Sequence, residues 1–266
     1  MRRIIDLTAT IKEDMIQNAP FHPRAPVLLL NQRHDVLQWY MARFWTKPGM
    51  PPLFDGLPPE AGMPGKGHGQ QSEQVLLGTH MGTHIDAPLH FDNSPGAGDA
   101  TSIPASKCIG DAVLLDLRRF CSTDDHVITL AELDEAERRS GERLRPGDIV
   151  LLNTGHAAKN AYGPGAAKSK YAPTHPGLDY DVPPWFIERQ ITVVGVDTAN
   201  LDRDSVLSAH VNFLLRPWIG KEPIYIIENL VNLEQIEQRR FTFIGLPLPM
   251  VGASGSPIRA VAILEN

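Results

Sequence analysis

Pro146-Gly147-Asp148-Ile149-Val150-Leu151-Leu152-Asn153 decides how the rest of the chain is read. Pro-Gly-Asp is turn chemistry, and the four apolar residues behind it are of strand length and show no polar alternation, so the strand they form is covered on both faces. Such a strand belongs to a parallel or mixed sheet with helices over it. Upstream, Thr129-Leu130-Ala131-Glu132 is a capping box: the threonine side chain accepts from the backbone near Glu132, and that carboxylate reaches back. The helix it opens is expected to stop at Gly141. Downstream the cycle repeats. Asp181 is expected to cap a helix beginning at Pro183-Pro184-Trp185-Phe186, which leads into the strand Thr192-Val193-Val194-Gly195-Val196 and then Asp197.

Farther out, Ile4 to Thr8 and Val27 to Leu30 read as short strands at the start of the chain, and Pro223 to Ile227 and Ser256 to Leu264 as strands near its end. The fold class is therefore α/β with a mixed sheet, read as a single domain over residues 1–266. Between about residues 35 and 71 the composition shifts. Trp39, Phe44, Trp45 and Phe54 precede a run rich in proline and glycine from Pro48 to Gly69. A long irregular excursion within a compact domain is usually functional or disordered; this one is expected to be a lid-like insertion carrying aromatic groups to a substrate pocket.

The net charge of −6 and the absence of any Lys/Arg run longer than two residues argue against a nucleic-acid partner. The apolar runs, such as Ile224 to Ile227, fall far short of the roughly 20 residues a membrane-spanning helix needs. Met1-Arg2-Arg3 could begin a signal peptide, but Asp6, Lys12, Glu13 and Asp14 interrupt the apolar core that should follow, so a cytoplasmic location is expected. Two cysteines, Cys108 and Cys121, make neither a disulfide framework nor a structural zinc site. A small-molecule partner is expected.

The chemistry gathers in His80-Met81-Gly82-Thr83-His84-Ile85-Asp86-Ala87-Pro88-Leu89-His90, which holds three of the ten histidines. Glycine, β-branched residues and proline disfavour a helix here, so the backbone is expected to be extended. Side chains then alternate: His80, His84, Asp86 and His90 share one side, while Met81, Thr83, Ile85, Ala87 and Leu89 can pack on the other. His84 and Asp86 would lie roughly 7 Å apart at Cα, close enough to share one ion. Ten extended residues span roughly 33 Å, so His80 and His90 can join them only if the chain bends, most cheaply at Gly82 and Pro88. His80, His84 and Asp86 are expected to bind metal directly, with His90 nearby as a proton carrier or as a group that supports the ligands from just outside them. Two imidazoles and a carboxylate hold a divalent ion while leaving positions open for water and substrate.

The pattern His-x-Gly-Thr-His-x-Asp-x-Pro-x-His from His80 to His90 resembles the signature of the cyclase-like metal-dependent hydrolases, a family that includes bacterial kynurenine formamidase and isatin hydrolase. Further landmarks agree: Pro176-Gly177-Leu178, Gly195-Val196-Asp197-Thr198, His210 before Leu214-Leu215, Ile227-Glu228-Asn229-Leu230, and Leu246-Pro247-Leu248 through Gly255-Ser256-Pro257-Ile258-Arg259. The resemblance implies the swivelling β/β/α domain of that family. It implies one or two divalent ions, Zn2+ or Mn2+, held by His80, His84 and Asp86, with His210 and Glu228 completing a second position and His90 transferring protons. It also implies a homodimer or homotetramer. The histidine and the glutamate, read by themselves, could equally form a structural hydrogen-bonded pair. The expected reaction is attack of metal-bound hydroxide on the carbonyl of a small cyclic amide or lactone, isatin-like. Where kynurenine formamidases carry a Trp-Pro pair this chain has Phe21-His22-Pro23, so Phe21, Trp39, Phe44 and Trp45 are the candidate pocket residues.

Three other readings compete. An arylformamidase acting on N-formylkynurenine-like substrates uses the same groups, as does a non-haem iron oxygenase or a metal- or ligand-binding protein without turnover. A serine hydrolase is disfavoured, because Gly252-Ala253-Ser254-Gly255-Ser256 lacks the final glycine of a nucleophile elbow.

Overall fold

The computed structural model describes residues 2–11, 27–32, 72–92, 94–162, 171, 173–203 and 222–265. In chain order the strands are β1 (Arg3–Asp6), β2 (Val27–Gln32), β3 (Ser72–Leu76), β4 (His84–Asp86), β5 (Ile109–Asp116), β6 (Val127–Ile128), β7 (Ile149–Asn153), β8 (Gly177–Leu178), β9 (Val193–Val196), β10 (Tyr225–Glu228), β11 (Arg240–Pro247) and β12 (Gly255–Leu264). Helix α1 (Leu130–Ser140) precedes β7 and the short helix α2 (Pro183–Glu188) precedes β9. The chain divides into two compact units, one of Met1–Arg24 with Gly78–Asn266 and one of Ala25–Leu77. In the smaller unit β2 pairs antiparallel with β3, with a register shift between Leu30 and Gln32. The lid expected at residues 35–71 lies outside the described residues, as do His210, Phe21, Trp39, Phe44 and Trp45.

The α/β class with a mixed sheet is the one observed. In the larger unit β5, β7, β9 and β10 run parallel, in that order. On one side β11 joins β5 antiparallel and β12 joins β11; on the other, β4 joins β10 antiparallel. The long β12 then pairs through Gly255–Pro257 with β4, which closes the sheet on itself like a barrel. β1 lies antiparallel along the rest of β12. Closure leaves the four central strands with no free edge, and their all-apolar runs are buried: Val150, Leu151, Val193, Val194, Ile226 and Ile227 are fully covered. Each such side chain stabilises the fold by about 1.5–3 kcal/mol relative to exposure.

α1 begins with the expected capping box, the Thr129 side chain accepting from the Glu132 N–H and Glu132 accepting from the Thr129 N–H, and ends at Gly141 with φ 71°. Leu133 and Ala136 are its buried residues, and it packs on β5. α2 corrects one expectation: its N-cap is Val182, not Asp181, and no side chain caps it. Pro183 at the first turn has no N–H to satisfy and its ring presets φ, which makes a side-chain cap less necessary. β5 and β11 were not expected from the sequence. β5 opens on Ile109-Gly110-Asp111, and β11 reads Arg240-Phe241-Thr242-Phe243-Ile244-Gly245, the alternation of a half-buried strand without flanking turn signals that stand out. Cys108 is fully buried, Cys121 is half-buried, and both are free thiols. No helix among the described residues is long and apolar enough to cross a membrane.

Candidate metal centre

The His80–His90 segment is extended only over β4, and bends on either side at the two places where bending is cheap. Gly82 has φ 65°, a left-handed conformation that favours glycine. Pro88–His90 is a single 3-10 turn with proline at its start. The bends shorten the segment enough to bring all three histidine rings together: His80 meets His84 edge-on at 5.1 Å between centroids and stacks on His90 at 3.9 Å. Met81, Thr83, Ile85 and Ala87 are buried, and so are Gly82, His84, Asp86 and Pro88, so the segment is covered on both sides.

β4 lies between β10 and β12, with Glu228 directly opposite His84 on one side and Pro257 on the other. The Nδ1 atom of His84 is 2.8 Å from the carbonyl of Gly82. A carbonyl can only accept, so Nδ1 carries the proton and the lone pair of the neutral ring sits on Nε2. That Nε2 is buried and has no hydrogen-bond partner among the described residues. It lies 3.3 Å from Asp86 Oδ1 and 3.4 Å from Glu228 Oε2. His84 Nε2, Asp86 Oδ1 and Glu228 Oε2 thus converge in a buried place, and no hydrogen bond among the described residues fills the gaps around Nε2, an arrangement a cation satisfies. The donor atoms of His80, His84 and Asp86 all lie within 4.8 Å of one another.

His80 completes the group from the turn before β4. Its Nδ1 is 2.7 Å from Asp86 Oδ1 and its Nε2 2.8 Å from Ser254 Oγ. Gly255 makes that approach possible, since a Cβ there would lie 2.5 Å from His80 Cε1. Ser254, His80 and Asp86 therefore stand in a serine–histidine–aspartate line that the sequence reading had set aside.

Burial raises both carboxyl pKa values. At Asp86 the His80 and His84 rings outweigh it and hold the group below the usual carboxylate range. Glu228 has Asp86 and Asp202 as further neighbours, so it is pushed well above that range, although the Leu201 N–H opposes this. A cation would relieve both burial and repulsion at once. Exposure grades across the group: His84 is 0%, Asp86 1%, and His80 and Glu228 6% exposed, whereas His90 is exposed to solvent. The open side of the centre is the side of His90.

The structure thus brings together five of the six groups expected from the sequence: His80, His84, Asp86, His90 and Glu228. Thr83, read only as a packing residue, also has a part. Its hydroxyl donates to the carbonyl of Asn229 at 2.7 Å and accepts from the N–H of Ala9 at 2.8 Å, tying the motif to the ends of β10 and of the first strand. Thr83 and Gly255 stand in the quoted motif and landmark with no role attached, and Ser254 carries no spacing signal that could mark it.

The family model described as putative cyclase matches residues 5–203. The kynurenine formamidase of Bacillus thuringiensis (strain Al Hakam) is 30% identical over 190 residues, covering 71% of this chain and 78% of that protein. An isatin hydrolase bound to the product analogue thioisatinate superposes with a TM-score of 0.74 at 18% identity, covering 100% of this chain and 93% of that one. A potential metal-dependent hydrolase with cyclase activity superposes with a TM-score of 0.66 at 20% identity over the whole of both chains.

Proposed function

We infer that this chain, which belongs to the putative cyclase family, is a metal-dependent hydrolase that opens a small cyclic amide or lactone. The observation that carries the reading is His84 Nε2, buried and without a hydrogen-bond partner among the described residues, facing carboxylate oxygens of Asp86 and Glu228 at 3.3 and 3.4 Å. His80, His84, Asp86 and Glu228 would hold the ion; zinc and manganese both suit nitrogen and oxygen donors without thiolate. An ion bound there would supply Lewis acidity, making water more acidic and polarising a carbonyl.

The chain's own groups supply the rest. The Gly82 carbonyl keeps the proton of His84 on Nδ1, so Nε2 stays available. Asp86 orients His80 through their 2.7 Å contact. His90, on the open side and stacked on His80, is the proton carrier: it accepts a proton as water adds to the carbonyl and returns it to the leaving nitrogen or oxygen as the ring bond breaks. The product keeps the new carboxylate and the released amine or hydroxyl in one molecule. His90→Ala is expected to lower kcat by about 10²–10⁴-fold while ion binding persists.

Arylformamidase activity is a second reading, favoured by the 30% identity to kynurenine formamidases. The test is hydrolysis of isatin, an aromatic lactone and N-formylkynurenine by chelator-stripped protein, with and without added Zn2+ or Mn2+. Turnover that returns with metal on the cyclic substrates supports the first reading, and on the formamide alone the second. Turnover that requires oxygen, or none on any substrate despite stoichiometric ion binding, overturns both.

A further inference from the structure

Glu228 is the last residue of β10, a position at which a strand ordinarily frays, yet its carboxylate must stay opposite His84. The residue after it, Asn229, has φ 59°, in the left-handed region where asparagine is tolerated and glycine is at ease. Three anchors hold it there. Its N–H donates to the carbonyl of Thr198 at 3.0 Å, its carbonyl accepts from Thr83 Oγ1 at 2.7 Å, and its Oδ1 accepts from the hydroxyl of Tyr171 at 2.9 Å.

The first two anchors use the backbone and would survive a glycine. The third requires the amide side chain, and keeping that side chain leaves its Nδ2 buried without a hydrogen-bond partner among the described residues. A position selected for packing alone would carry glycine, with neither the strain nor the leftover donor. Tyr171 is itself held firmly. It is buried, its ring stacks on His156 at 5.1 Å with 26° between the planes, and its carbonyl accepts from His156 Nε2 at 2.9 Å. Because Nε2 donates there, His156 Nδ1 accepts from Asn160 Nδ2 at 3.0 Å, and the His156 N–H donates to Thr154 Oγ1 just after β7. The Tyr171 hydroxyl is thus delivered to Asn229 from the segment that follows β7.

We propose that Asn229 and Tyr171 are positioning residues for Glu228, their hydrogen bond fixing the end of β10 so that the carboxylate faces His84 Nε2. This rests on the metal-binding reading above. Mn2+ affinity of the full-length, chelator-stripped protein, measured by titration calorimetry, tests it. Tyr171→Phe keeps the ring stack and removes only the hydroxyl; Asn229→Gly keeps the backbone conformation and removes only the amide. Each is expected to weaken Mn2+ binding by roughly 10–100-fold, the range for groups that orient a metal ligand, and the double variant no more than either alone. Thr129→Ala, which loosens a helix cap far along the sequence, should lower stability and leave the affinity unmoved. Both single variants binding within about two-fold of the parent chain would overturn this inference alone, since effects that size fall below those of ligand-orienting groups. Additive losses would overturn the shared hydrogen bond. A parent chain that binds neither Mn2+ nor Zn2+ would overturn the metal-binding reading and this inference with it.

Discussion

Glu228 has the most informative side chain in the centre because its neighbours are all wrong for a lone carboxylate. Burial, Asp86 and Asp202 raise its pKa well above 4.5. A raised folded-state pKa contributes stability that is fully present below the unfolded value and is lost as pH rises through the folded one. Metal-stripped protein should therefore lose stability as pH is raised above the ordinary carboxylate range. Asp86, held below its ordinary value, acts in the opposite sense and only in acid, its contribution being lost as pH falls through its lowered pKa. Glu228→Gln removes the titration: the metal-stripped variant is expected to lose less stability than the parent as pH rises, and to bind Mn2+ more weakly. Calorimetric scans across pH check both. Ser254 poses the other question at this scale, since its hydroxyl, His80 and Asp86 are aligned as a nucleophile, base and orienter would be. Ser254→Ala is expected to cost at most about 10–100-fold, as for a group that steadies a metal-binding histidine, with turnover still abolished by chelator. A loss near 10⁴-fold, together with a parent enzyme indifferent to chelator, would make Ser254 the nucleophile instead.

Among the elements, α1 shows sequence and structure in closest agreement, because everything that defines it is local. Thr129 and Glu132 satisfy the first-turn N–H groups reciprocally, and Gly141 takes the left-handed conformation that ends the helix. Thr129→Ala is expected to cost about 1 kcal/mol, read as a lower urea midpoint with an unchanged m-value. β4 is the opposite case. Three residues are too few to form a strand on propensity alone, and it exists because β10 and β12 both pair with it. Its two outward-bent flanks, at Gly82 and at Pro88, convert an extended segment into a cluster of histidine rings.

The larger unit closes into a ring through β4, and the candidate ligands lie on that closing strand and the two elements beside it. An ion held there joins β4 to β10 and to the turn carrying His80, so ion binding and closure of the sheet should be coupled. Ligand that binds only the folded state at 100 times its dissociation constant adds about 2.7 kcal/mol, which at about 2–4 °C per kcal/mol raises the melting temperature by roughly 5–11 °C. Mn2+ or Zn2+ added to chelator-stripped protein is expected to do this, and His84→Ala to abolish the shift while leaving the fold assembled.

What the sequence determined by itself was whatever depends on neighbours along the chain. The apolar run Ile149 to Leu152, the capped helix after Thr129, and the chemistry of His80, His84, Asp86 and His90 are all written in spacings of a few residues. Its bends at Gly82 and Pro88 could be foreseen because the same segment could not otherwise bring its histidines together. Asp181 does not cap α2, because proline at the helix start removes the need for a side-chain cap. The alternating strands β5 and β11, the closure of β12 on β4, the alignment of Ser254 with His80, and the Tyr171–Asn229 anchor were decided only in three dimensions. Each of these joins residues far apart in sequence, where no period or motif records the pairing, and each is selected because the folded chain must bury its polar groups with partners that only the completed ring of strands brings within reach.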